Sequence, residues 1–111
     1  MTTAQELVDH VRRIGAEPQT IELKSAEHGC PASVCETMSA FANGQGGTLL
    51  LGVDDSGQCV DIDAPTVAKT LAQRAADDME PAIRAEVSIE IVDEHHRVVR
   101  MDVPEVPPSQ K

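Results

Sequence analysis

Three features of the 111-residue sequence predict an α+β domain. Helix-spaced apolar residues alternate along the chain with strand-like runs, and one run, TLLLGV, is apolar almost throughout. Near the end, two strongly alternating segments are joined by a short polar link. The predicted order is αβαββαββ, a two-layer domain whose mixed or antiparallel sheet is packed by helices. The length suits a single domain over residues 1–111. The proline-rich stretch from about 104 to 111, PEVPPSQK, cannot pair as an inner strand and reads as a linker or a cut end.

The elements follow in order. Ala4 to Ile14 sets Leu7, Val8, Val11 and Ile14 at helical spacing, and Gly15 stops the helix. Thr20 to Lys24 alternates, with Ile21 and Leu23 on one face of a short strand and Glu22 and Lys24 on the other. Ser25 to Pro31 is a loop; Pro31 and Ser33 suit the first turn of a second helix, Ala32 to Ala42, with Val34, Met38, Phe41 and Ala42 on its apolar face. Asn43 to Gly47 ends that helix with residues that tolerate left-handed backbone angles. Thr48 to Val53 is then a central strand covered on both faces. Asp54 to Gly57 is a turn, from which Gln58 to Ile62 returns as an antiparallel partner. Asp63 caps a third helix carrying Val67, Leu71, Ala75 and Met79 at fourfold spacing, and Pro81 closes it. Glu86 to Val92 and Arg97 to Val103 form a second hairpin around Asp93 to His96.

Composition narrows the function. The chain is 41% hydrophobic but only 1% aromatic, its single aromatic being Phe41, so base stacking on aromatic rings is nearly ruled out. A net charge of -10 opposes binding to polyanions through bulk electrostatics, and a nucleic-acid role therefore needs a local basic face, a partner domain or a metal ion. Cys30, Cys35 and Cys59 lack CxxC spacing and read as free structural thiols. The start MTTAQELVDHV has neither the basic nor the apolar region of a secretory signal, and no run is long enough to span a bilayer, so the expected compartment is the cytoplasm, away from membranes.

Four groups of residues are candidates for chemistry. The glycine stretch NGQGG follows a helix and precedes a strand, the reverse of a phosphate loop, and contains no lysine; its expected role is structural. Glu17, Glu22, Asp54 and Asp55 could cluster if their strands are neighbours, and convergent carboxylates can hold Mg²⁺ or Mn²⁺ and activate water; in an acidic chain, however, carboxylates at strand ends are usually solvated turn formers, and the residues alone favour that reading. His10, His28, His95 and His96 have no metal-ligand spacing. Arg12, Arg13, Lys24 and Arg84 make a basic strip only if folding gathers them.

The run EPQTIELKSA, then SAFANGQGGTLLLGVDDSG, then DMEPAI, two alternating strands and VPEVPPSQK, resembles the Schlafen Alba-like domain family, also called divergent AAA-4. The resemblance lies in Glu22, Leu23 and Lys24, in Ala40 to Asn43, in Gly46 and Gly47, and in Gly52 to Asp55 with Gly57; Pro81 and Lys111 match later parts. Leu23 stands where the family commonly has phenylalanine, an exchange a core tolerates. Phe41, Asn43, Gly46, Gly47 and Gly52 are thereby the expected structural positions.

The resemblance implies a cytoplasmic nucleic-acid (DNA) binding module of a bacterial transcriptional regulator, working with other domains of a longer protein. On that reading Lys24, Arg12, Arg13 and Arg84 contact nucleic acid and no cofactor is expected. A ribonuclease branch of the family uses a carboxylate triad, which would map here to Glu17, Glu22 and Asp54 with Mg²⁺ or Mn²⁺ as metal. A third reading is an oligomerisation or regulatory module without catalysis, in which the apolar strands Val87 to Ile91 and Val99 to Val103 pair across a homo-oligomer.

Overall fold

A computed structural model describes residues 2–15, 18–79 and 83–105. Helix α1 (Ala4–Ile14) starts at a reciprocal cap: Thr3 Oγ1 accepts from the Glu6 amide at 3.1 Å, and Glu6 Oε1 accepts from the Thr3 amide at 3.2 Å. Ala4, Val8 and Val11 form its buried stripe, and Gly15 ends it in the left-handed region at φ 78°. Then come β1 (Ile21–Lys24), α2 (Val34–Asn43), β2 (Gly47–Leu51), α3 (Ala64–Asp77), β3 (Glu86–Asp93) and β4 (His96–Val103). Asp63 caps α3 as expected, its carboxylate accepting from the Thr66 amide and hydroxyl. Ser33 stands at the α2 N-cap, but its side chain makes no capping bond. Pro81, the expected stop for α3, lies outside the described residues.

The four strands form one mixed sheet in the order β1-β2-β4-β3. β1 runs parallel to β2, while β2–β4 and β3–β4 are antiparallel. This is the α+β class that the sequence predicts, with two differences. The strand expected over Gln58 to Ile62 shrinks to one bridge between Val53 and Cys59. The reason is topological: β1 and β4 already occupy both sides of β2, so the returning segment touches only the end of that strand.

The second difference is that helices cover both faces, where the sequence suggests two layers. Leu49, Leu51, Val99, Met101 and Val103 pack under α2 and α3, and Ile21, Leu23, Leu50, Val53, Val92 and Val98 pack under α1. The consecutive leucines of β2 make this necessary. Leu49, Leu50 and Leu51 point alternately to opposite faces and are all fully buried, each worth about 1.5–3 kcal/mol relative to exposure.

A polar network fastens the start of α1 to the sheet. Arg100 donates through Nη1 to Glu90 at 3.1 Å and to the Thr2 carbonyl at 2.6 Å, and through Nε to Asp102 at 3.1 Å. Glu90 also accepts from the Ala4 amide at 2.9 Å, a carboxylate at the positive end of a helix. These acceptors compensate the burial of Arg100, a residue only 9% exposed.

Candidate functional site

The β1 edge collects most of the residues singled out from sequence. Glu22 and Lys24 alternate with the buried Ile21 and Leu23 and project on the α2 side, where Lys24 Nζ lies 3.7 Å from Glu22 Oε1. Two open grooves meet at Glu22. One, about 580 Å³, runs between β1 and α2 and is lined by Thr20, Glu22, Glu36, Thr37, Phe41 and Gln45. The other, about 420 Å³, passes Lys24, the loop through His28, and Ser33 and Asp55. A third, on the α1 side, carries His10, Arg13 and Pro18 and shares Thr20 with the first. The grooves therefore form a band around the short outer strand, with Arg13 and Lys24 towards its two ends.

The glycines shape this edge. Gly46 adopts φ 78°, and a Cβ there would stand 2.7 Å from the Val103 carbonyl oxygen, because β4 ends against it. A Cβ on Gly47 would lie 2.6 Å from the Phe41 ring, so Phe41 enters the core across bare backbone. Asn43 is the last residue of α2 and donates to Ser39 Oγ at 3.4 Å; the left-handed angle that the sequence suggests around it falls at Gly46. Gly52 also has positive φ, 109°, where β2 leaves the sheet.

The expected carboxylates do not all share this edge. Asp54 Oδ1 accepts from Ser56 Oγ at 2.6 Å, from the Ser56 amide at 2.9 Å and from the Gln58 amide at 3.0 Å. The Ser56 hydroxyl foremost, then the Gln58 amide, hold the Asp54 carboxyl below the usual carboxylate range. Its lone pairs serve the turn, and it is Asp55 that lines a groove with Glu22. Glu17 lies outside the described residues. Among the described residues no three His, Cys, Asp or Glu side chains come together in a metal-holding group. Of the two described members of the expected triad, Glu22 faces Lys24 and Asp54 accepts from its own turn.

The basic residues separate. Arg12 Nε donates to the Gly57 carbonyl at 2.6 Å, clamping the turn after β2 onto α1, and its Nη1 lies 3.7 Å from Asp9. Arg13 lines the α1-side groove near Thr20. Arg84 precedes β3, beyond β4 and at the opposite end of the strands from Lys24, so the two occupy diagonal corners of the sheet. The cysteines are free thiols, and burial foremost pushes Cys30 and Cys59 up, away from reactive thiolates.

Sequence reasoning did not single out Glu36 or Thr37. Glu36 and Thr37 sit off the Val34, Met38 and Phe41 stripe of α2, and only the parallel β1–β2 pairing turns their side of the helix towards β1.

Fold and edge together define an α+β domain with a polar, grooved strand at one side of its sheet. The chain belongs to the family described as Schlafen, AlbA_2, which residues 17–111 match. Among solved structures it is similar to the N-terminal domain of a protein from Nitrosomonas europaea described as related to the ATP-dependent DNA helicase RecG. That likeness has a TM-score of 0.76 at 32% identity and covers 100% of this chain and 78% of the other. No curated protein matches the chain. No helix among the described residues is long and apolar enough to cross a membrane.

Proposed function

We propose that the domain binds nucleic acid along the β1 edge, as the DNA-binding module of a larger transcriptional regulator. The observation that carries this reading is the band of grooves around β1, in a chain whose family and structural relative are tied to nucleic-acid proteins. Lys24 and Arg13 bind phosphate, while Thr20, Thr37, Gln45 and Ser33 supply neutral hydrogen-bonding groups. With a net charge of -10 and one aromatic residue, binding rests on a few phosphate contacts and on groove shape. The remaining domains of the regulator add the rest of its affinity.

Fluorescence anisotropy with labelled single-stranded DNA, duplex DNA and structured RNA over a salt series tests this. Two phosphate contacts predict a slope of log K against log salt of about -2 on duplex DNA. An absence of saturable binding at low salt, or equal binding by the Arg13→Glu/Lys24→Glu variant, overturns the reading. The RNA samples are repeated with Mn²⁺. Cleavage that is lost in Glu22→Ala would replace binding alone with the metal-dependent ribonuclease reading.

A further inference from the structure

β3 is the other edge of the sheet, and among the described residues nothing pairs with its outer side. On its α3 face Val87, Ile89 and Ile91 recur at every second position, opposite Met101, Val99 and Arg97. Ile89 is 41% and Ile91 69% exposed, large apolar side chains on an open strand. The strand, EVSIEIVD, has neither the lysine nor the proline that commonly blunts such an edge. Pro104 and Glu105 run beside Gly46, on the β2 side of β4, and so leave β3 uncovered.

We propose that β3 is a self-association surface whose occupant is the β3 strand of a second copy of this chain. Antiparallel pairing joins two four-stranded sheets into one of eight across a two-fold axis. The length of strand paired and charge together select the register. With the axis at Ile89, Ile89 faces its own copy, Ile91 faces Val87, and Ser88 faces Glu90, so no like charges stand opposite each other. Moving the axis to Ser88 sets Glu86 against Glu90, and moving it to Glu90 sets that carboxylate against itself.

The Ile89 register also brings Arg84 alongside the Asp93–Glu94 tip of the second copy, at both ends of the interface. The shift in β3–β4 register between Ile91 and Asp93 limits the regular stretch to the residues this pairing uses. The contact is one strand wide, which places it among weak, concentration-dependent interfaces.

Sedimentation velocity on the whole chain from about 10 µM to about 1 mM tests the proposal, a range suited to a small interface. The expected result is a dimer fraction that rises with concentration and is abolished by Ile91→Lys, with circular dichroism unchanged because Ile91 is exposed. Arg84→Glu and Glu94→Arg each weaken association about tenfold, and the double reversal restores it. A monomer throughout overturns the proposal. So does a dimer indifferent to Ile91→Lys, and so does a double reversal no stronger than either single one.

Discussion

β1 and β3 both end the sheet, yet their edges differ in length, partner and surface. β1 has four residues, runs parallel to its neighbour and is ringed by polar grooves, whereas β3 has eight, pairs antiparallel and exposes Ile89 and Ile91. The difference follows from how each strand is connected. A parallel pair needs a crossover, and α2, carrying Glu36 and Thr37, is laid beside β1 on the way to β2. A hairpin needs only a two-residue turn, so nothing passes over the outer rim of β3. Connectivity thus gives one edge relief and polarity and leaves the other open, with Ile89 and Ile91 exposed on it.

The largest expected effect lies under β3. Arg100→Ala removes the cation shared by Glu90, Asp102 and the Thr2 carbonyl and leaves the Glu90 carboxylate partly buried without it. Its cost is about 3 kcal/mol, below the upper range for buried pairs because Asp102 is 44% exposed. Urea denaturation measures it as a lower midpoint at unchanged slope. An intact midpoint would mean that α1 does not depend on this network.

Next comes Gly47→Ala, on the β1 side. The added methyl meets the Phe41 ring at 2.6 Å, and displacing that ring costs about 1–3 kcal/mol. Phe41→Leu in the same chain removes the clash, so the double variant should lose less than the two single losses combined. Strict additivity in that cycle would remove Phe41 as the reason for glycine at 47.

These residues also mark what the sequence could reveal. Phe41, Gly46 and Gly47 were legible because a helix stop followed at once by an apolar strand leaves few backbone solutions. The three leucines of β2 announced a strand buried on both faces, although not that α1 would supply the second cover. The fate of Gln58 to Ile62 was hidden, since composition says turn and return but not that β4, some forty residues later, takes the place beside β2. At the site, alternation placed Glu22 and Lys24 on one face correctly, while nothing local distinguishes Asp54 from Asp55. Only the hydrogen bonds from Ser56 and Gln58 assign the first to the turn and the second to the groove.

A third effect separates the edges by ligand. Lys24→Ala should weaken nucleic-acid binding several-fold, uniformly across sequences, and reduce the magnitude of the salt slope by about one. Arg84→Ala, at the diagonal corner, should leave both affinity and slope unchanged. Anisotropy titrations at three salt concentrations read the difference. Equal losses from the two substitutions would shift the contact surface away from β1.

The smallest effect concerns Asp54, at the turn that Arg12 holds against α1. Its carboxyl lies below the usual range because the Ser56 hydroxyl and the Gln58 and Ser56 amides favour the charged form. A depressed folded-state value means that the unfolded chain takes up its proton first as pH falls. The contribution to stability is therefore complete above the ordinary aspartate value of about 4 and disappears as pH drops through the lower folded one. Asp54→Asn keeps an oxygen that can accept from Ser56 and Gln58 but cannot titrate. At neutral pH its loss should stay below about 0.5 kcal/mol, as suits an exposed turn. Thermal melts between about pH 5 and pH 3 should fall less steeply in the variant than in the parent. The turn stands at the β1 end of the sheet, where Asp55 lines a groove with Glu22, so self-association through β3 should be unaltered, and a changed dimer fraction in Asp54→Asn would show the two ends of the sheet to be coupled.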